Sequence, residues 1–321
     1  MKISVVIPTY KRPDLLIKCL TALSKQQLDP RDFEVIIVSD GPDSMSMQLV
    51  KQWSFQVSLN MRFFQTPTKN GPAAARNKGW RHAKSAIIAF TDDDCLPQPY
   101  WLQALVLHYQ QEEYLAFSGK TVVPLPDNPT DFACNTAHLQ EAEFITANCA
   151  CTRKSLWKTG GFDERFKMAW REDSDLHFKL MKNHIKVVKI PEAVVIHPVR
   201  SAPWGISIKE QKKGIYDALL FKKHPHIFRE RIQPQPNWNY YLTLILWGLL
   251  CVTGIVNSQP AMLLIAGVLV VFIALFFLKR IKQTRRSFSH LTEMALTSII
   301  IPFLSVFWKI YGAVKFKVFY L

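Results

Sequence analysis

The sequence predicts an α/β fold: a doubly wound, mostly parallel sheet flanked by helices, followed by a membrane-embedded helical tail. Three observations predict it. Apolar runs without polar alternation recur in the amino-terminal part, as in strands buried on both faces, and segments of helical period separate them. Those runs end in polar or acidic residues, above all the triplet Asp92-Asp93-Asp94. From Tyr240 to Leu278 no Asp, Glu, Lys or Arg occurs for 39 residues, enough to cross a bilayer twice.

Lys2 to Tyr10 is a β-branched strand stopped at Pro8-Thr9-Tyr10. Pro13 suits a first helical turn, and Leu15, Leu16, Cys19, Leu20 and Leu23 recur at helical spacing, which predicts a helix to about residue 27. Phe33 to Ser39 is a second strand, ended by the turn Asp40-Gly41-Pro42. A helix over 44–53 and a strand over 57–65 follow. Gly71-Pro72 and three alanines start the next helix, with Arg76, Asn77 and Lys78 in its first two turns, a place where basic groups and free N–H groups bind phosphate. The strand Ala86 to Thr91 then delivers the acidic triplet. Thr9, Tyr10, Asp40 and Asp92 to Asp94 therefore sit at ends of parallel strands, which converge on one crevice. Adjacent carboxylates repel one another and are comfortable in water or around a hard cation such as Mg²⁺ or Mn²⁺.

Further on, the pattern predicts a helix over 101–109, a strand over 116–123, a loop with some helix over 127–143 and a strand over 144–152. Glu172, Asp173 and Asp175 open a helix carried by Leu176, Leu180 and Met181. Carboxylates there answer the helix dipole, or one of them serves as a positioned general base. Short strands over 186–190 and 193–196 end at His197, a possible metal ligand. Residues 206–223 form a basic-faced helix suited to a membrane surface, and prolines 225, 234 and 236 mark a linker. Tyr240–Val256 and Ala261–Leu278 predict a transmembrane hairpin. The run 294–308, broken by Pro302 and ended by Lys309, Lys315 and Lys317, is expected to be interfacial or re-entrant rather than a third span.

The formal charge is +15. Residues 1–239 hold 32 basic and 24 acidic side chains, and residues 240–321 hold 8 and 1, so the short tail carries nearly half the excess. That points to anionic membrane lipids as partners and away from nucleic acid, for which no motif is present. Six scattered cysteines form no CxxC pair, which fits free thiols in a reducing compartment. The basic cluster Lys279 to Arg286 and the absence of a signal peptide place the expected location at the cytoplasmic (inner) membrane, with the amino-terminal domain in the cytoplasm. The expected organisation is a domain over 1–200, a membrane-proximal helix and linker over 201–239, two spans over 240–278, and a basic loop with an interfacial or third membrane segment over 279–321.

Five motifs in order carry a resemblance. They are Ser4-Val-Val-Ile-Pro-Thr-Tyr-Lys-Arg-Pro13, Val35-Ile-Ile-Val-Ser-Asp40-Gly41, Gly71-Pro-Ala-Ala-Ala-Arg76-Asn-Lys-Gly79, Phe90-Thr-Asp92-Asp-Asp94, and Gly161-Phe-Asp-Glu followed by Glu172-Asp173-Ser-Asp-Leu176. Over about residues 2–200 the chain resembles the family 2 glycosyltransferases of the GT-A (Rossmann-like) fold. The resemblance implies an inverting, metal-dependent transfer of a single sugar from a UDP-, dTDP- or GDP-linked donor. A lipid-linked or glycan acceptor fits the membrane tail. It implies that Pro8, Thr9, Tyr10, Arg12, Asp40, Arg76, Asp92 and Asp93 bind the donor nucleotide. Asp94, with Asp92 and His197, would hold Mn²⁺ or Mg²⁺, and Asp173 beside Glu172 would be the catalytic base. The role of Asp93 is open. The Q-x-x-R-W signature of processive synthases is absent after residue 197, which speaks for single transfers. A polyprenyl-phosphate acceptor is the nearest alternative. A nucleotidyltransferase would need a glycine-rich loop where Thr9-Tyr-Lys-Arg-Pro13 stands, and a catalytically idle nucleotide-binding adaptor is the remaining alternative.

Overall fold

The structure is a computed structural model that describes residues 1–320. It divides into two compact units, residues 1–124 with 137–199, and residues 125–136 with 200–321.

The first unit alternates strand and helix through its front half. In order come β1 (Ile3–Thr9), α1 (Pro13–Leu23), β2 (Phe33–Ser39), α2 (Ser44–Ser54), β3 (Asn60–Gln65), α3 (Pro72–His82) and β4 (Ile87–Phe90). Every residue of β1, β2 and β4 is buried, the reason these strands read as unbroken apolar runs. Then follow β5 (Leu96–Pro97), α4 (Trp101–Leu107), β6 (Leu115–Val122), α5 (Asp131–Ala137), β7 (Cys149–Thr152), α6 (Arg153–Thr159), α7 (Glu172–Lys182) and β8 (Lys186–Ile196). One eight-stranded sheet results, in the order β3-β2-β1-β4-β7-β6-β8-β5. β1 pairs parallel with both β2 and β4, and β2 with β3, so their carboxyl ends share one edge of the sheet. β7 runs antiparallel to β4 and β6, and β5 antiparallel to β8.

Two details of this unit differ from the sequence pattern. The apolar run 144–152 is strand only from Cys149, because the turn before it is pinned by Asn148. Its amide donates to the carbonyls of Lys120 and Ala193, and its oxygen accepts from the Trp101 indole at 2.8 Å. The two short strands expected near 190 are one strand, β8, whose pairing with β6 shifts register between Gly119 and Lys120. A side chain at Gly119 would collide with the Ala193 carbonyl and Asn148 at that splice. α5, the helix within the stretch expected as a loop with some helix, belongs mostly to the second unit.

The second unit continues with α8 (Ile206–Glu210), α9 (Ile215–Lys223), α10 (Pro225–Arg231), α11 (Trp238–Ile255), α12 (Gln259–Ile281) and α13 (Phe288–Phe316). Pro302 does not break α13, which runs for 29 residues. A proline removes one helical hydrogen bond, and a long apolar helix tolerates the loss where neighbours cover it. By length and composition alone α11, α12 and α13 are all able to cross a membrane. α11 and α12 have one buried residue each, Thr243 and Leu269, whereas α13 buries a face against α8 and α9. Gly312 allows that approach, since a Cβ there would lie 2.7 Å from the Ile215 carbonyl oxygen.

Inside this unit Arg280 is a buried hub. It donates to Asp131 at 2.9 Å, to the hydroxyls of Thr297, Ser298 and Ser207, and ties α5, α8, α12 and α13 together. The stretch expected as a loop with some helix over 127–143 does contain a helix, and its anchor lies 149 residues away.

Candidate active site

The site forms where β1, β2 and β4 end. After β4 the chain leaves the ladder, and the three aspartates part company. Asp93 turns inward and is almost fully buried. It accepts from the Thr9 hydroxyl at 2.7 Å and forms an ion pair with Arg12, whose Nε is 3.2 Å away. Burial pushes its carboxyl up to about 7, with Arg12 and Thr9 only partly offsetting it. Asp93, whose role the motif left open, therefore splices the end of β1 to the end of β4, and Thr9 spends its hydroxyl on that splice.

Asp92 and Asp94 belong to the opposite cluster. Their carboxylates, the Cys95 thiol and the His197 imidazole offer ligand atoms within 4.8 Å of one another. The pairing of β5 with β8 brings them together, because Leu96 lies opposite Ile196 in the ladder. His197 Nε2 is 3.9 Å from Asp94 Oδ1, and its backbone N–H donates to the Val122 carbonyl at 2.8 Å. His197 Nδ1 is buried without a hydrogen-bond partner among the described residues. Buried polar atoms ordinarily find partners, so this nitrogen is unspent bonding capacity. Two carboxylates, an imidazole and a thiol suit a divalent transition ion. Cys95 is a member that the sequence reading had treated as an ordinary free thiol. Its adjacency to Asp94 was the available signal.

Arg76, on the first turns of α3, is fully buried between two acids. Its guanidinium donates to Asp92 at 2.6 Å and to Glu172 at 3.0 Å. Burial works against its charge, but the carboxylates of Asp92 and Glu172 outweigh that and raise its pKa. Burial likewise opposes the charge on Asp92, and Arg76 outweighs it, so Asp92 stays below the usual carboxylate range. Glu172 differs. Burial pushes it up to about 7 despite Arg76, and its Oε2 has no partner among the described residues.

The start of α3 is tied into the domain by its own side chains. Asn77 accepts from the Trp80 indole and the Phe162 N–H, and donates to the Phe162 carbonyl and Glu164. Lys78 donates to the Gln65 carbonyl. Arg76, expected against the nucleotide, meets carboxylates of its own chain. Asn77 fixes the loop that leads to α7, and Gly161 makes room for it: φ is +64° and a Cβ would lie 2.7 Å from Asn77 Oδ1.

Asp173 opens α7 after Arg171, which is left-handed at φ +73°. Its side chain is half-buried and accepts from the Ser174 N–H at 2.6 Å. Burial raises its pKa, with Ser174, Arg171 and Arg76 partly offsetting the rise. A carboxylate poised above its usual range is suited to take a proton.

The expected nucleobase wall is partly occupied. Asp40 is buried and accepts from the N–H groups of Asn70 at 2.7 Å and Gly71 at 2.9 Å, so it fastens the loop before α3. Pro8 is buried in β1, and Tyr10 is half-buried with the Lys69 ammonium 4.7 Å from its ring. Asp43, which the sequence reading did not single out, caps α2 through Ser46 and accepts from the Lys11 N–H at 2.6 Å.

The family model described as glycosyl transferase family 2 matches residues 4–172. Among curated proteins the chain is similar to a validoxylamine A glucosyltransferase of Streptomyces hygroscopicus subsp. limoneus, 27% identical over 274 residues that cover 71% of this chain and 58% of the relative. It is also similar to a chondroitin synthase of Escherichia coli, 25% identical over 272 residues, 71% of this chain and 39% of that one. The chain therefore spans well under two thirds of the length of these relatives. In fold it resembles a mannosyltransferase from Pyrobaculum calidifontis, solved in complex with GDP-Man and Mn²⁺, with TM-score 0.61, 18% identity, and coverage of 97% of this chain and 87% of that one. With more than half its length matched by the family model, and the motif residues gathered at one strand-end corner, this chain belongs to glycosyl transferase family 2.

Proposed function

We propose that the chain transfers a single sugar from a nucleotide-diphosphate sugar to an acceptor hydroxyl at the cytoplasmic face of a membrane, with inversion at the anomeric carbon. The observation that carries this reading is the two-sided corner: a metal-competent cluster of Asp92, Asp94, Cys95 and His197 on one side, and the acidic start of α7 on the other, linked by Arg76. A solved structure of like fold holds GDP-Man and Mn²⁺, which supports a nucleotide-sugar donor and a divalent ion here. Asp94, Asp92 and His197 would hold the ion, and a divalent cation supplies stabilisation of the charge that grows on a departing diphosphate.

The chain's own residues do the remainder. Arg76 keeps Asp92 ionised and in place. Asp93, tied to Thr9 and Arg12, fixes the backbone from which Asp92 and Asp94 project. Asp173 accepts the proton of the acceptor hydroxyl as it attacks, on the face opposite the leaving group. The apolar helices α11, α12 and α13 and the basic residues from Lys279 to Arg286 hold the catalytic unit at the bilayer and support a lipid-linked or envelope-glycan acceptor.

The test uses the full chain with UDP-, dTDP- and GDP-sugars and Mn²⁺. A matching donor raises Tm by mass action and is consumed when acceptor is present. Asp94→Ala abolishes the Mn²⁺-dependent part of that Tm shift, and Asp173→Asn keeps the shift but loses transfer by about 10²–10⁴-fold. Full transfer in both variants would sink the proposal.

A further inference from the structure

We infer that α11, α12 and α13 enclose a binding site for an anionic glycerophospholipid. A cavity of about 410 Å³ lies among them, within the second unit. Its lining is segregated. Asn237, Asn239 and Lys279 stand at one end, where α11 begins and α12 finishes. Phe272, Ile273 and Phe276 continue inward along α12, and Phe272 lies about 10 Å below Lys279 at the helical rise per residue. Pro302 of α13 also lines the cavity. It has no N–H for the carbonyl of Ser298, another lining residue one turn before it, so one helical hydrogen bond is missing at this level.

The polar end lacks an anion. Residues 240–321 contain one acidic side chain, Glu293, and it accepts from the Gly205 N–H. Asp131 is taken by Arg280. Lys279 is exposed and makes no ion pair among the described residues, and the side-chain amides of Asn237 and Asn239 are likewise unspent. An ammonium beside two amide donors, above an apolar slot, matches a phosphate above two ester carbonyls and the first methylenes of a chain. Basic pockets between membrane helices bind phosphate headgroups in this way. Ester carbonyls distinguish a glycerophospholipid from an isoprenyl phosphate, which has none for the asparagines to meet. The cavity is smaller than a whole lipid, so the remaining chain length stays in the bilayer.

The experiment takes the full chain, delipidated in non-ionic detergent, and titrates phosphatidylglycerol, phosphatidylcholine and an isoprenyl monophosphate, with bound lipid counted by native mass spectrometry. One phosphatidylglycerol per chain is expected to bind in preference to the other two. Lys279→Gln weakens it about fivefold, the factor for one basic residue near an anionic headgroup, and leaves phosphatidylcholine unchanged. Ile273→Trp fills the slot and removes the bound lipid, with helical circular dichroism retained as the check on folding. Equal phosphatidylglycerol binding by wild type and Lys279→Gln, retention by Ile273→Trp, or tighter binding of the isoprenyl phosphate each overturns the assignment.

Discussion

Two buried arginines organise the two units in different ways. Arg76 faces two carboxylates, Asp92 and Glu172, with Asp93, Asp94 and Asp173 close by in the same corner. Arg280 faces one carboxylate, Asp131, and three hydroxyls. The membrane-side hub is balanced in charge and complete in hydrogen bonds, as a structural clamp needs to be. The catalytic-side hub leaves negative charge over, with Glu172 Oε2 and His197 Nδ1 buried and unpartnered among the described residues. Buried polar atoms left over in one corner are what the proposed cation and nucleotide sugar would use. The comparison separates a residue that holds a fold together from one that holds an unfinished site together.

The strongest way to break the contrast is to remove each arginine. Arg76→Met strands two buried carboxylates, which costs about 3–5 kcal/mol of stability by chemical denaturation. It also removes sugar transfer by about 10²–10³-fold, because Asp92 loses its restraint. Restoring stability with Glu172→Gln in the same chain is expected to leave transfer lost. Arg280→Met costs a similar amount of stability for the same reason but leaves transfer per folded molecule near the wild-type value. Here the double replacement Arg280→Met with Asp131→Leu recovers most of the loss, since an apolar pair of similar volume substitutes well for a buried ion pair. If the double variant is as unstable as the single one, the clamp reading of Arg280 is wrong.

These pairings explain what the sequence could and could not disclose. The front half of the sheet was legible because β1, β2 and β4 are buried on both faces, so each strand is visible from its own residues. The meeting of Asp92, Asp94 and His197 was legible because a strand end and an acidic triplet occur side by side, and His197 ends another strand. The division of labour among the aspartates was not. It depends on Thr9 meeting Asp93 across 84 residues and on Arg76 meeting Glu172 across 96. Local pattern carries no information about such partners. The start of α3 shows the same limit: an arginine beside free N–H groups gives no sign of the two carboxylates that meet it in the fold. The helix expected within 127–143 could not be given bounds from its aperiodic residues, because the anchor of α5 is Arg280. The continuity of α13 past Pro302 was missed because the proline rule describes an isolated helix, whereas this one is covered by α8 and α9.

The finest discrimination between the two hubs is by pH. Glu172 is raised by burial from 4.5 to about 7, while Arg76 pulls it down only in part. In the unfolded chain the group is an ordinary carboxyl. Between about 4.5 and about 7 the folded protein therefore holds a proton on Glu172 that the unfolded chain has released. Stability then falls with rising pH across that window, and the contribution is levelled off above it. Glu172→Gln carries no titrating proton at this position. Its stability relative to wild type is expected to be least favourable near pH 4.5 and to improve steadily up to about pH 7, measured by urea denaturation at each pH. Asp131→Asn in the other hub makes the contrasting control. Adding Mn²⁺ with a bound donor is expected to flatten the Glu172 difference, because a cation in the corner draws Glu172 back toward its ionised form. A difference between Glu172→Gln and wild type that stays constant over pH 4.5 to 7 would mean that Arg76 already keeps Glu172 ionised, and the corner would then carry one more negative charge.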